Sequence, residues 1–567
     1  MSLEQPTAVP RRAWYRRGPV VAAALVGGLV LVAVAALAAT RVLVPAAPSG
    51  PLLLADHLPA RTLIFVELDL EPDGGQAAAL DALNERLAAF GAGDGAGRLL
   101  DPVLEGLSGG EYSYTRDIAP WSDGRVALAV LDWGSLGQVP NPLAPFPADP
   151  IAPGTVLLFG LEDREAAAGF TDRLRASDEL AGLGWVQRDR GGWTTWMAAP
   201  DAPGQPGLGY AVGDELLVAA IRGADLDEII ALHDEGGEKL ADVDSFRSEI
   251  ARLPAERIGT LASRIGALPP ALTGGALLGL GDSSTLGLLL RAFPLNQVGA
   301  LVLAEDRIIL ERWQPSGVGL PQPAERRNDR LAAVFPADAL LYAELPELGR
   351  QLSALGASIE SDAVRLGGED ARLEVARVEG LLGRDLGAVG DWLGDVAVGG
   401  GGQDGVVGLV GETPDPEVAA DFLDRVTQLV AGGGVAVDHG ELDGVPLVRA
   451  DVPFLFGSIT LELTILDDRV VVGTEGFARW VRDTPVALGE DESYASALEE
   501  AGGAENAGVV YLSIERSLAL MRAQPGLPVD WAELEPRAAS VRDAIIVTFV
   551  EGDRVRSHLE IRLADPE

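Results

Sequence analysis

From Pro19 to Ala39 the chain runs PVVAAALVGGLVLVAVAALAA without a single charged side chain. An α-helix rises about 1.5 Å per residue, so about 20 apolar residues cross the ~30 Å hydrocarbon layer of a bilayer. A charge at the centre of that layer costs roughly 2.5–3.5 kcal/mol. The run predicts a transmembrane helix over residues 19–40. Arg11, Arg12, Arg16 and Arg17 precede it, and such side chains stay on the cytoplasmic face. Residues 1–18 therefore read as a basic cytoplasmic tail. Everything after the span is expected outside the cytoplasm, in a single-pass protein of the cell membrane. The alternative is a cleaved signal peptide cut near Ala-Ala-Leu-Ala-Ala. The apolar run exceeds the roughly 7–15 residues usual for such a core.

Beyond a Pro/Ala/Ser/Gly linker at residues 41–56, one pattern of residues occurs twice. Leu58–Leu70 (LPARTLIFVELDL) is answered by Phe335–Leu348 (FPADALLYAELPEL), which aligns Glu67 with Glu344. Trp121 with Arg125–Leu128 is answered by Trp392 with Asp395–Val398. Phe170-Thr171-Asp172-Arg173 is answered by Phe422-Leu423-Asp424-Arg425, and Asp214–Val218 by Asp468–Val472. Ser245-Phe246 precedes its match Ser493-Tyr494, and Asp306-Arg307-Ile308 its match Asp553-Arg554-Val555. Six matches in one order imply an internal duplication. The expected domains are residues 57–313 and 333–567, joined by a Pro/Gly/charged linker at 314–332.

Within a copy the elements alternate. Leu63–Leu70 reads as a strand, with Ile64, Val66, Leu68 and Leu70 on one face and Phe65, Glu67 and Asp69 on the other. Leu80, Leu83, Leu87 and Phe90 recur at helical spacing, as do Ala167, Phe170 and Leu174. Thr155–Leu161 is a strand candidate. Gly191-Gly192 between Trp185–Arg188 and Trp193–Met197 signals a hairpin, and Gly213-Asp214 signals another. Tight turns join antiparallel strands. The fold class predicted is α+β, two similar domains of mainly antiparallel sheet with packed helices.

The opening Leu58-Pro59-Ala60, its strand, and Leu68-Asp69-Leu70-Glu71-Pro72-Asp73-Gly74-Gly75-Gln76 resemble the start of a bacterial domain-of-unknown-function family, number 3352. The resemblance implies a short N-terminal membrane segment and a long exported region. It implies no activity and no catalytic residues. The second copy departs from it, since Leu345-Pro346-Glu347-Leu348 lacks the Pro-x-Gly-Gly-Gln element.

Composition excludes several chemistries. Cysteine is absent and the four histidines, His57, His233, His439 and His558, are far apart. Thiolate metal sites and cysteine nucleophiles are ruled out, and no metal or other cofactor is expected. The net charge of -41 repels nucleic acid. No P-loop and no Gly-x-Ser-x-Gly elbow occurs. Gly399–Gly402 follows a strand, with another strand after it, and reads as a hairpin loop. Candidates for a functional cleft are Glu67 and Glu344, placed alike in both copies, and Trp121 and Trp392. Trp121, Trp133, Trp185, Trp193, Trp196 and Trp392 suit either core packing or the lining of an apolar groove. The function expected is a non-catalytic binding or scaffold module of the cell envelope, with the membrane and an envelope protein as partners. The alternatives are a carrier or sensor of an apolar ligand, and a carboxylate-dependent hydrolase.

Overall fold

A computed structural model of the chain describes residues 54–86, 101, 104, 110–133, 153–177, 180–198, 207–264, 296–315, 331–402, 405–454, 457–503, 505–523 and 538–564. The expected membrane span at 19–40 and its basic tail lie outside the described residues, as do most of the two linkers. Among the described residues no helix is long and apolar enough to cross a membrane. The fold is α+β with extensive antiparallel sheet. The chain forms two compact units, Met1–Glu305 and Asp306–Glu567.

In the first unit the strands are β1 (Ile64–Asp69), β2 (Ser122–Asp132), β3 (Gly154–Leu161), β4 (Trp185–Arg190), β5 (Trp193–Ala198), β6 (Gly209–Val212), β7 (Leu216–Ala220), β8 (Gly259–Arg264) and β9 (Asn296–Ala304). Its helices are α1 (Gly74–Arg86), α2 (Arg164–Ala176), α3 (Gly223–Glu235) and α4 (Asp244–Ile250). Side by side the strands run β4-β5-β6-β7-β3-β2-β1-β8-β9, every pair antiparallel. The β4–β5 turn falls on Gly191 and Gly192, with φ of 57° and 89°. Two successive positive φ values make the mirror-image turn that follows strand twist, and glycine adopts it without steric cost. Strand β3 is buried from Gly154 to Gly160, on both faces, which explains its unbroken apolar sequence. Helix α2 begins where the Asp163 carboxylate accepts from the backbone N–H groups of Glu165 (2.9 Å) and Ala166 (3.0 Å).

The second unit contains β10 (Arg307–Pro315), β11 (Ala339–Leu345), β12 (Val396–Gly401), β13 (Val406–Glu412), β14 (Ala436–Leu442), β15 (Val445–Phe454), β16 (Gly457–Leu466), β17 (Arg469–Thr474), β18 (Gly508–Ser513), β19 (Val541–Glu551) and β20 (Arg554–Leu563). Its helices are α5 (Leu348–Leu382), α6 (Pro416–Gly432), α7 (Phe477–Arg482), α8 (Glu492–Glu500) and α9 (Ile514–Ala523). The strand order is β14-β15-β16-β17-β13-β12-β11-β18-β19-β20-β10. From β14 to β19 it repeats the order from β4 to β9.

Local bonding repeats as well. The N–H of Leu240 donates to the Leu58 carbonyl (2.7 Å), Ala60 to Glu238 (3.1 Å) and Thr62 to Pro59 (3.0 Å). In the second unit Leu488 donates to Phe335 (2.6 Å), Ala337 to Val486 (2.9 Å) and Ala339 to Pro336 (3.0 Å). Proline has no N–H, so its neighbours carry the pairing in both Pro-Ala openings. Phe65 then meets Phe246 edge-on at 5.9 Å, and Tyr342 meets Tyr494 edge-on at 5.8 Å.

The structure resolves one point the sequence left open and corrects another. Alternation left open which face of β1 is covered: it is the Phe65/Glu67 face, while Ile64, Val66 and Leu68 are half-buried. Gly399–Gly401 lie in strand β12 rather than in the loop, which starts at Gly402. A Cβ on Gly399 would stand 2.5 Å from the Phe335 ring, and one on Gly401 2.9 Å from the Trp480 ring. Aromatic rings take the space those side chains would need. Strand β10 lies antiparallel to β20 from Arg307 to Pro315.

Candidate functional site

The first unit holds an apolar cavity of about 120 Å³ against α2 and strands β3, β6 and β7. Its walls include Trp121, Phe159, Phe170, Leu174, Trp185 and Tyr210. Trp121 is edge-on to Phe159 at 5.5 Å, and Trp185 is tilted over Tyr210 at 5.6 Å. The Trp121 indole N–H donates to the Asp117 carbonyl (2.6 Å), and that of Trp185 donates to the Leu180 carbonyl (2.9 Å). With their N–H groups satisfied by backbone, these two indoles offer the cavity only apolar surface. A dry cavity of about 150 Å³ walled by aliphatic and aromatic groups takes a molecule the size of benzene. The cavity here matches a small ring or a short chain.

Four polar side chains also line it: Tyr112, Thr171, Arg175 and Tyr210, of which Tyr112 donates its hydroxyl to Glu111 (3.1 Å). The Thr171 hydroxyl donates to the Ala168 carbonyl (2.9 Å). Arg175 lies 3.4 Å over the Trp196 ring and pairs with Asp172 through a terminal nitrogen. Burial pushes the Tyr210 phenol up to about 12, against the opposing charge of Arg175.

Of the residues singled out in the sequence, Trp121 and Trp185 line the cavity. Trp193 is buried elsewhere and meets His233 edge-on at 5.2 Å. Trp392 belongs to the second unit, where it packs on Phe422 at 4.9 Å in a small core with Ala419 and Val470. Glu67 and Glu344 do occupy corresponding places. Glu67 pairs across to Ala127 and Thr260, and Glu344 to Ala397 and Val509. Both are buried, and neither is part of the cavity lining. Burial pushes the Glu67 carboxyl up to about 8, against the Leu54 N–H at 3.3 Å and the charges of Arg125 and Arg257. At neutral pH it is mostly protonated. Tyr342 donates to Glu344 at 2.8 Å. Glu67 is 0% exposed, which suits packing rather than contact with a solute. Among the described residues no group of three or more His, Cys, Asp or Glu side chains is placed to hold a metal ion.

A family model described as "Protein of unknown function (DUF3352)" matches residues 20–546. The chain belongs to the DUF3352 family. No curated protein is similar to this DUF3352 chain. Among solved structures it is similar to TP0453 in crystal forms IV and I, at 10% identity in each. The match to form IV covers 41% of this chain and 93% of that one, with a TM-score of 0.21; for form I the values are 43%, 95% and 0.20.

Sequence reasoning missed Arg175, Thr171 and Tyr210. A signal for the first was present. Ala167, Phe170 and Leu174 define the apolar stripe of α2, and Thr171 and Arg175 follow Ala167 at i+4 and i+8. A cation on the covered face of an amphipathic helix is out of place unless something there needs it. Tyr210 carried no such mark, being one more aromatic residue on a short apolar strand.

Proposed function

We propose that this DUF3352 protein is a non-catalytic binding module of the cell envelope, whose first domain takes an apolar ligand in the cavity beneath α2. In this reading residues 19–40 anchor the chain in the membrane, the N-terminus stays cytoplasmic, and two duplicated α+β domains stand outside. The aromatic cavity carries the proposal, because Trp121 and Trp185 spend their polar groups on backbone and leave an apolar, ligand-sized space. Interior packing normally leaves few voids larger than a water molecule. The repeated strand order and the repeated Pro-Ala bonding support the duplication. The uncharged run after four arginines supports the anchor.

Calorimetric titration of the full chain in nanodiscs with hexanol tests the binding reading. The expected result is one saturable site per chain with a negative heat-capacity change, weakened by Ala219→Val, which fills part of the lining. Partition of hexanol into lipid alone, unchanged by the substitution, contradicts it. Protease added to spheroplasts tests the topology. The bulk of the chain should be digested without lysis, and full protection would overturn the exported placement.

A further inference from the structure

Two polar atoms of the cavity lining lack a well-aligned hydrogen-bond partner among the described residues. The Tyr210 hydroxyl and the Arg175 Nε are buried, and neither meets a partner in good hydrogen-bond geometry among the described residues, although the hydroxyl faces Thr171 and Arg175. Tyr210 as a whole is 6% exposed. Buried donors in folded proteins are almost always paired, because an unpaired one keeps its full desolvation cost. Here both belong to residues lining one largely apolar space, whose other polar side chains, Tyr112 and Thr171, donate to Glu111 and to the Ala168 carbonyl. Having given its proton away, Thr171 can only accept from a second group. Asp172, which is 63% exposed, meets Arg175 at a terminal nitrogen and leaves Nε to the interior.

From these two donors we infer that the ligand is an amphiphilic monocarboxylate, its short apolar body against Trp121 and Trp185 and its carboxylate between Tyr210 and Arg175. This inference rests on the apolar-ligand reading of the same cavity and adds the chemistry of the polar end. A carboxylate is acceptor-only when ionised, and its two oxygens can serve a phenol and a guanidinium N–H at once. A hydroxyl head group satisfies the same donors less well, having one oxygen and no charge. The stack of the guanidinium on Trp196 at 3.4 Å fixes the arginine plane before any ligand arrives, so little side-chain freedom is lost on binding.

The test compares hexanoate with hexanol, titrated at neutral pH into the full chain in nanodiscs, for the natural sequence, Tyr210→Phe and Arg175→Gln. The inference predicts that hexanoate binds tighter than hexanol by on the order of ten- to a hundredfold. Each substitution should erase most of that preference, hexanoate losing several times more affinity than hexanol. Retained hexanol binding also shows that the variant cavity is intact. Equal binding of the two probes to the natural sequence overturns the inference and leaves the apolar-ligand reading standing. Absence of binding by both probes overturns the reading itself. A hexanoate preference that survives Tyr210→Phe, the milder substitution, places the carboxylate elsewhere and also overturns the inference.

Discussion

The indole of Trp121 lies 5.5 Å from the ring of Phe170, tilted by 32°. In the second unit Trp392 and Phe422 form the same stack at 4.9 Å and 31°. Each tryptophan precedes a strand hairpin, and each phenylalanine sits on the helix that follows, capped by Asp163 or Asp415. In the first unit the looser stack borders the cavity; in the second Trp392 belongs to a small core cluster with Ala419 and Val470. Trp121→Leu should therefore destabilise the first unit by about 3 kcal/mol, within the range for large-to-small core changes. Denaturant unfolding followed by circular dichroism measures it.

Glu67 makes stability depend on pH in an unusual direction for a carboxylate. Its pKa rises from 4.5 to about 8 on folding. Between those values the folded state holds a proton that the unfolded state has released, so stability falls as pH rises through that window. Glu67→Gln should flatten the slope and gain on the order of 1–3 kcal/mol over the natural protein above pH ~8. Urea melts of both proteins at pH ~5 and ~8.5 decide the point.

A second pH dependence resides in the other unit. His558 is buried, with Nε2 2.8 Å from Glu560 and Nδ1 3.9 Å from the Glu311 carboxylate. Burial lowers its pKa, but Glu311 and Glu560 outweigh that and raise it. A raised histidine gives stability that is complete below 6.5 and lost as pH climbs through the folded value. For Glu311 burial pushes upward, yet His558, Trp313 and Arg556 hold it down at about 2. Its contribution is present above 4.5 and lost as pH falls towards about 2. His558→Gln should remove the first effect, and the midpoint of thermal unfolding against pH will show whether it does.

Arg222 binds Asp225 and Asp132 together, and Asp225 is only 2% exposed. Arg61 is a second, more exposed partner of both. Removing one partner of a buried pair costs roughly 3–5 kcal/mol because a charge is left behind. Arg222→Met should lie at the lower end, since Arg61 remains. Arg222→Met with Asp225→Asn should cost less than Arg222→Met alone, which equilibrium unfolding of the two variants can compare.

Much of this architecture was legible in the chain. The Gly191-Gly192 turn, the strand Gly154–Leu161 and the stripe of Arg164–Ala176 follow from periodicity and turn chemistry, which are local. Glu67 was placed on its strand, but its burial was not legible. Alternation separates two faces and does not say which is covered when one of them carries Phe65 beside a glutamate. Gly399–Gly401 looked like a loop because nothing local shows that Phe335 and Trp480 fill the space beside them. The cavity was the least legible feature. Trp121, Phe170, Trp185 and Tyr210 converge only through strand order, and a void is a property of packing that no single residue type marks.

Xenon is the most direct probe of the central claim, because it enters dry apolar cavities of this size without needing a polar partner. A xenon-pressurised crystal of the protein should show one strong anomalous peak among Trp121, Phe159, Phe170 and Tyr210. An empty cavity at full pressure, or ordered water in place of xenon, would contradict an apolar-ligand site there.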